Sequence, residues 1–213
     1  MTKSIDTKQK IMEKATELFA QNGFNGVSIR KIAQSAEVNL AAINYHFKSK
    51  AHLYVSILIE SRKLIASEMT KAAEGCINTF ETSMAIFEVF IKNEKRVSHL
   101  FSMITSKATQ EVQDALIELG VQYQSPPGSD LILRALERDY SNSLDSSVKK
   151  WAAGAIFSQI GHTALISGSA IFQEICKHSQ EHFLNINHRQ SVELSIQAII
   201  QFAEKDIALK SLA

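Results

Sequence analysis

The chain has 213 residues, enough for one large domain or for a small and a medium one. Hydrophobic residues at 45% and charged residues at 21% fit a soluble globular protein with ample core, while two prolines and eight glycines supply too few turns for an all-β fold, so an all-α fold is expected. The net charge of +1 is unevenly spread: residues 1–50 carry eight basic side chains against four acidic ones, and the remainder is mildly acidic. A basic end on a larger acidic body is the footprint of a small nucleic-acid reader attached to something else.

Met1-Thr2-Lys3-Ser4 leads into a polar amphipathic helix without an apolar leader, and no apolar run approaches the ~20 residues of a membrane span. A cytoplasmic protein with no membrane partner is expected, with Cys76 and Cys176 as reduced thiols because they lack CxxC spacing. The first helix is expected to open at Asp6, with Gln9 completing a capping box. Ile11, Ala15, Leu18 and Phe19 form its apolar face, and Gly23 is its left-handed terminator.

Residues 28–50, SIRKIAQSAEVNLAAINYHFKSK, then read as two short helices and the start of a third. Ser28 caps the first, which shows Ile29, Ile32 and Ala33 on one face. After a break at Ala36-Glu37-Val38, Asn39 caps the second, from Leu40 to Phe47, with Ile43 and Phe47 pointing inward. Ser49 is a cap candidate for the third. Two helices joined by so short a turn form a helix-turn-helix, whose second helix can lie in the DNA major groove. Phe19, Phe24, Ile32, Val38, Ile43 and Phe47 are expected to share its small core.

The run from about Lys8 to Leu53 resembles the DNA-binding domain of the TetR/AcrR family of bacterial regulators. The resemblance rests on Ala15 through Phe19, Gly23-Phe24, Ser28, Ile32-Ala33, Ala36, Val38, Ile43-Asn44-Tyr45-His46-Phe47, Ser49-Lys50 and Leu53. Glu37 departs from the glycine that the family often has in the turn. The resemblance implies that Ser28 and Arg30 face phosphates and that Asn39, Leu40, Ala41, Ala42, Asn44, Tyr45 and His46 ride the recognition helix. Asn44 has the donor–acceptor pair that matches adenine, and Leu40 and Ala41 can touch a thymine methyl. Tyr45 and Lys50 are expected as phosphate clamps; half-buried packing is the competing role for Tyr45 and His46.

A DNA-binding domain over residues 1–50 and a helical ligand-binding and dimerisation domain over 51–213 are expected. The linking helix runs from about Lys50 to the low seventies, with Leu53, Ile57, Leu64 and Ile65 inward, and ends near Gly75. Helices over 78–93, 95–107 and 109–124 follow. Phe80, Met84, Phe87, Phe90, Phe101, Met103 and Ile104, with His99 as the polar member, suit a pocket for a small apolar effector and equally suit an ordinary core. After the loop Ser125-Pro126-Pro127-Gly128 a helix resumes near Ser129. Gly154, Gly161 and Gly168 then recur every seven residues among Phe157, Ile160, Leu165 and Ile171. The last helix carries Val192, Ile196, Ile199, Ala203 and Ile207 on one face and Leu194, Ile200 and Phe202 on another. A homodimer through Gly154, Phe157, Gly161, Leu165, Gly168, Ile196, Ile199 and Ala203 is expected, with intrachain packing of the glycines as the alternative.

Glu174, His178 and His182, four apart, could ligate a metal on one helical face; a surface coincidence is the competing reading, and neither metal nor cofactor is expected. GxGxxG, Walker A, GxSxG and HExxH patterns are absent, so an enzyme is not expected. The resulting expectation is a dimeric, ligand-responsive repressor reading a palindrome of double-stranded DNA with half-sites ~34 Å apart. A helical carrier or adaptor that does not bind DNA and a helical-bundle metalloenzyme using Glu174, His178 and His182 are the alternatives.

Overall fold

The computed structural model describes residues 2–122, 125–167, 169, 174 and 187–210. Among these residues every regular element is a helix: α1 (Thr2–Asn22), α2 (Ile29–Ala36), α3 (Leu40–Phe47), α4 (Lys50–Ala73), α5 (Thr79–Lys92), α6 (Glu94–Thr105), α7 (Gln110–Glu118), α8 (Ser129–Asp139), α9 (Ser146–Ser167) and α10 (His188–Lys210). The fold is all-α. No helix among the described residues is long and apolar enough to cross a membrane.

The helices pack as two compact units, residues 1–64 with 96–124 and residues 65–95 with 125–213. The first unit therefore extends beyond residue 50, where the sequence suggested a boundary. The reason lies in its core, where Ile11, Phe19, Ile32, Ile43 and Phe47 join Leu53, Tyr54 and Ile57 of α4, Met103 of α6 and Val112 and Ala115 of α7. The Tyr54 hydroxyl ties the segments together, donating to the Met103 carbonyl at 2.7 Å and lying 2.8 Å from Ser106 Oγ. Phe24 and Phe19 set their rings against the Tyr54 ring at 5.3 and 4.9 Å between centroids.

Three local expectations are corrected. α1 starts at Thr2, so Asp6 lies within it rather than capping it; extending a formed helix gains one hydrogen bond per residue. Leu64 is half-exposed instead of inward. α7 stops at Glu118 rather than near residue 124, because Gly120 at φ +64 lets the amides of Gly120 and Val121 return to the carbonyls of Ile117 and Leu116, closing the helix as a Schellman motif.

In the second unit α9 is central and packs against α5, α8 and α10 through Ala152, Ala153, Ile156, Ile160 and Ala164. The start of α8 is fixed by Gly128, at φ +94, where an added Cβ would lie 2.8 Å from Met69 Sδ and 3.3 Å from Ile86 Cγ2. Met69 and Ile86 are fully buried and cannot swing aside. Gly128→Ala is expected to destabilise this unit by about 2 to 4 kcal/mol, summing left-handed strain and overpacking; urea denaturation followed by circular dichroism measures it.

Candidate nucleic-acid interface

Both helices of the motif are held at their starts by their own side chains. Ser28 Oγ accepts from the Lys31 amide at 3.2 Å, and Asn39 Oδ1 accepts from the Ala41 amide at 3.0 Å. The turn between them does require a left-handed residue: Glu37 has φ +52 and ψ +46, and its amide returns to the α2 carbonyls. A non-glycine residue is tolerated there while its carboxylate takes a hydrogen bond from Lys10 Nζ of α1 at 3.0 Å. That hydrogen bond and the ammonium's charge hold the Glu37 carboxyl below its ordinary range. The contact's contribution is therefore present at neutral pH and fades as pH falls through that depressed value.

α3 has an inner and an outer side. Ile43 and Phe47 are buried, and Asn39, Leu40, Ala41, Asn44 and Tyr45 are exposed, Tyr45 to 83%. Ala42 and His46 are half-buried, with the His46 ring 5.2 Å from that of Tyr45. Ser28 and Arg30 at the start of α2 are exposed as well. Tyr45 thus presents a free aromatic surface, while His46 divides its ring between solvent and its neighbours.

Lys50 has an occupation that the sequence did not suggest. Its ammonium donates to the carbonyls of Phe24 and Val27 at 3.0 and 3.1 Å and sits 4.0 Å from the centroid of the Phe24 ring. It thereby pins the loop that delivers Ser28 to α2, a role distinct from gripping phosphate. Lys48, just past α3, adopts φ +59, and its Nζ lies 2.6 Å from Glu118 Oε2. His52 Nε2 reaches the same oxygen at 3.1 Å. The hydrogen bond from Lys48, then its charge, hold the Glu118 carboxyl below the usual range. Lys48, His52 and Glu118 escaped sequence reading because Glu118 is 70 residues from Lys48, with no motif linking them.

The expected pocket residues divide between the units. Phe80 is half-buried, and Met84, Phe87 and Phe90 are buried in the second unit, with Phe90 packed on Phe157 at 5.8 Å between rings. His99, Phe101, Met103 and Ile104 belong to the first. A cleft of about 180 Å³ in the first unit is walled by Phe24, Tyr54, Leu58, Met103, Ile104, Val112 and Leu116, with Ser106 and Lys107 at its polar side. Only Met103 and Ile104 of the expected set line it.

Of the expected dimer residues, Ile196 and Ala203 are buried within the second unit, and Phe157, Leu165 and Ile199 are half-buried there. Gly154 is exposed, and a Cβ at Gly154 or Gly161 would meet nothing within 4 Å. Beside them α9 and α10 expose Trp151, Leu194 and Phe202, the rings of Trp151 and Phe202 being 5.4 Å apart. Gly168, His178 and His182 lie outside the described residues; among the described ones no three potential ligands gather to hold a metal.

A capped two-helix unit with its second helix turned outward on a three-helix core has the architecture of a helix-turn-helix. Residues 11–57 match the family model described as bacterial regulatory proteins, tetR family. The chain is 39% identical over 85 residues to "Probable HTH-type transcriptional regulator YttP" of Bacillus subtilis (strain 168), a stretch covering 40% of this chain and 41% of that relative. The aligned stretch thus spans about two fifths of the relative's length. The TetR-family regulator PfmR of Thermus thermophilus superposes with a TM-score of 0.58 at 16% identity, covering 90% of this chain and 97% of that one. SmeT, solved as a complex with triclosan, superposes with a TM-score of 0.63 at 16% identity, covering 92% and 90%. Residues 11–57 are thus similar to the DNA-binding segment of tetR-family regulators, and the whole chain shares its fold with solved TetR-family proteins.

Lys50→Met keeps the apolar stem and removes the charge from two carbonyls and a ring. It is expected to lower the stability of the first unit by about 1 to 3 kcal/mol, read from the urea midpoint, before any effect on DNA is considered.

Proposed function

We propose that the chain is a repressor that binds a palindromic operator as a homodimer and leaves it when a small, largely apolar effector binds. The observation that carries the reading is the two-sidedness of α3. Ile43 and Phe47 anchor it, while Asn39, Leu40, Ala41, Asn44 and Tyr45 are offered outward on a rigid, capped helix. Asn44 would read adenine, Leu40 and Ala41 a thymine methyl, and Tyr45, Ser28 and Arg30 the backbone. Ala42 and His46 would flank the contact, and Lys50 would act chiefly by fixing the approach loop. Such a protein would work in the cytoplasm, where the DNA is.

Dimerisation is supported by the open face of α9 and α10. Among the described residues no neighbour accounts for Gly154 and Gly161, whereas a second chain approaching Trp151, Gly154, Leu194 and Phe202 would cover exposed apolar surface. Effector binding is supported by the cleft beside Tyr54 and by the triclosan complex of a protein that shares the fold. Only a ligand that favours the conformer with wrongly spaced readers can release DNA.

DNA selected from random oligonucleotides tests the reader. Asn44→Ala is expected to relax preference at one base position per half-site, at about 1 to 3 kcal/mol of discrimination, and Tyr45→Phe to weaken all sequences alike. Selected pools identical to those of the unsubstituted chain for Asn44→Ala would remove α3 as the reading helix. For the dimer, Trp151→Glu with Phe202→Glu is expected to shift the mass measured by light scattering from two chains to one at micromolar concentration. An unchanged dimer would place the interface elsewhere.

A further inference from the structure

We propose that the joint between α3 and α4 is a binding subsite for a DNA phosphodiester, and that Glu118 of α7 fills it until DNA displaces the carboxylate. The inference rests on the DNA-reading assignment above and adds Lys48 and His52 to the surface that holds the backbone.

The geometry is that of an anion site with an anion in it. Lys48 Nζ and His52 Nε2 converge on a single oxygen, Glu118 Oε2, at 2.6 and 3.1 Å. The His52 amide donates to Ser49 Oγ at 3.2 Å, and that hydroxyl lies 2.8 Å from His52 Nδ1. With the Ser49 proton directed to Nδ1, the ring carries its own proton on Nε2 and donates it to the anion without needing a positive charge. Two side-chain donors aimed at one negatively charged oxygen suit a phosphate oxygen as well as a carboxylate. Lys48 directly follows α3, three residues after the exposed Tyr45, so the site continues the proposed backbone-contacting edge.

The carboxylate is not placed there for the sake of its own helix. Glu118 is the last residue of α7, the end where a negative charge is disfavoured by the helix dipole. Lys48 and Glu118 have side chains 70% and 49% exposed, and ion pairs so open to water are weak and exchange readily. A duplex, with a phosphate at every step, can outcompete one carboxylate. The occupant would therefore lower affinity without blocking binding. α7 also supplies Val112 and Leu116 to the apolar cleft, so a ligand lodged there bears on the helix that carries the competitor.

The test is fluorescence anisotropy of a labelled mixed-sequence duplex, titrated with the full chain over a range of salt. Glu118→Gln is expected to tighten binding about three- to fivefold at low salt. It is also expected to steepen the slope of log affinity against log salt by up to about 0.9, the value for one phosphate fully neutralised, since Lys48 then meets the phosphate without a carboxylate beside it. Glu111→Gln on the same helix makes the same change in net charge and is expected to do less than half as much. Adding Lys48→Gln to Glu118→Gln should abolish the gain. Equal effects of Glu118→Gln and Glu111→Gln, or a gain that survives in the double variant, would overturn the proposal. If circular dichroism shows Glu118→Gln unfolded, Lys48→Gln alone decides: a shallower salt slope supports the subsite and an unchanged slope removes it. A wild-type chain with no salt-dependent affinity for duplex defeats the DNA reading itself, whereas a binding chain indifferent to Glu118 defeats only the competitor.

Discussion

An eight-residue helix in water does not hold itself together, because nucleation is unfavourable and few hydrogen bonds follow it. α3 is such a helix, and it must also leave most of its surface open. What holds it is Ile43 and Phe47 sunk in the core at one side, the Asn39 carboxamide on the Ala41 amide at its start, and a residue of positive φ before and after it, Glu37 and Lys48. Burial of two side chains of this size contributes on the order of 3 to 6 kcal/mol, enough to offset poor local propensity. α3 can leave its outer side open because the stabilising groups are confined to one stripe and the two ends.

The same reasoning explains why the first unit is larger than its motif. Three helices, two of them eight residues long, enclose too little apolar surface to be well protected. Tyr54, Leu53 and Ile57 of α4 extend the core, and Met103, Val112 and Ala115 close it from segments that arrive much later in the chain. Lys50 adds a polar tie at the opposite side of the motif, holding the Phe24 and Val27 carbonyls that a tight loop would otherwise leave to water. A lysine in this setting serves both as a fastener and as a source of positive potential.

Much of this was legible in the residues alone. Ser28 and Asn39 announce caps, Gly23 announces a left-handed terminator, and the 3.6-residue spacing of Ile32, Ile43 and Phe47 announces which sides turn inward; each signal is local and has a physical cause. The left-handed backbone at Glu37 was signalled only by the glycine that the resembling family often has in this turn. What stayed hidden depends on pairs far apart in the sequence. Nothing near Tyr54 indicates that its hydroxyl meets Met103, and nothing near Lys48 indicates Glu118. The apolar residues of the body were legible as apolar and not as pocket or core, because helical spacing is the same for both. Ile196 and Ala203 proved to be core, while Leu194 and Phe202 on the other face remained open.

The order in which the first unit is assembled along the chain has an evolutionary corollary. Residues 96–124 complete what residues 1–64 begin, with the whole stretch 65–95 belonging elsewhere. A gene fusion that transplanted only the front segment onto a foreign body would strip the cover from Tyr54 and leave Lys48 without its acidic neighbour. Recombination between relatives should therefore succeed only when α6 and α7 travel with α1 through α4, so that the exposed face of α3 and the seat it rests on are inherited together.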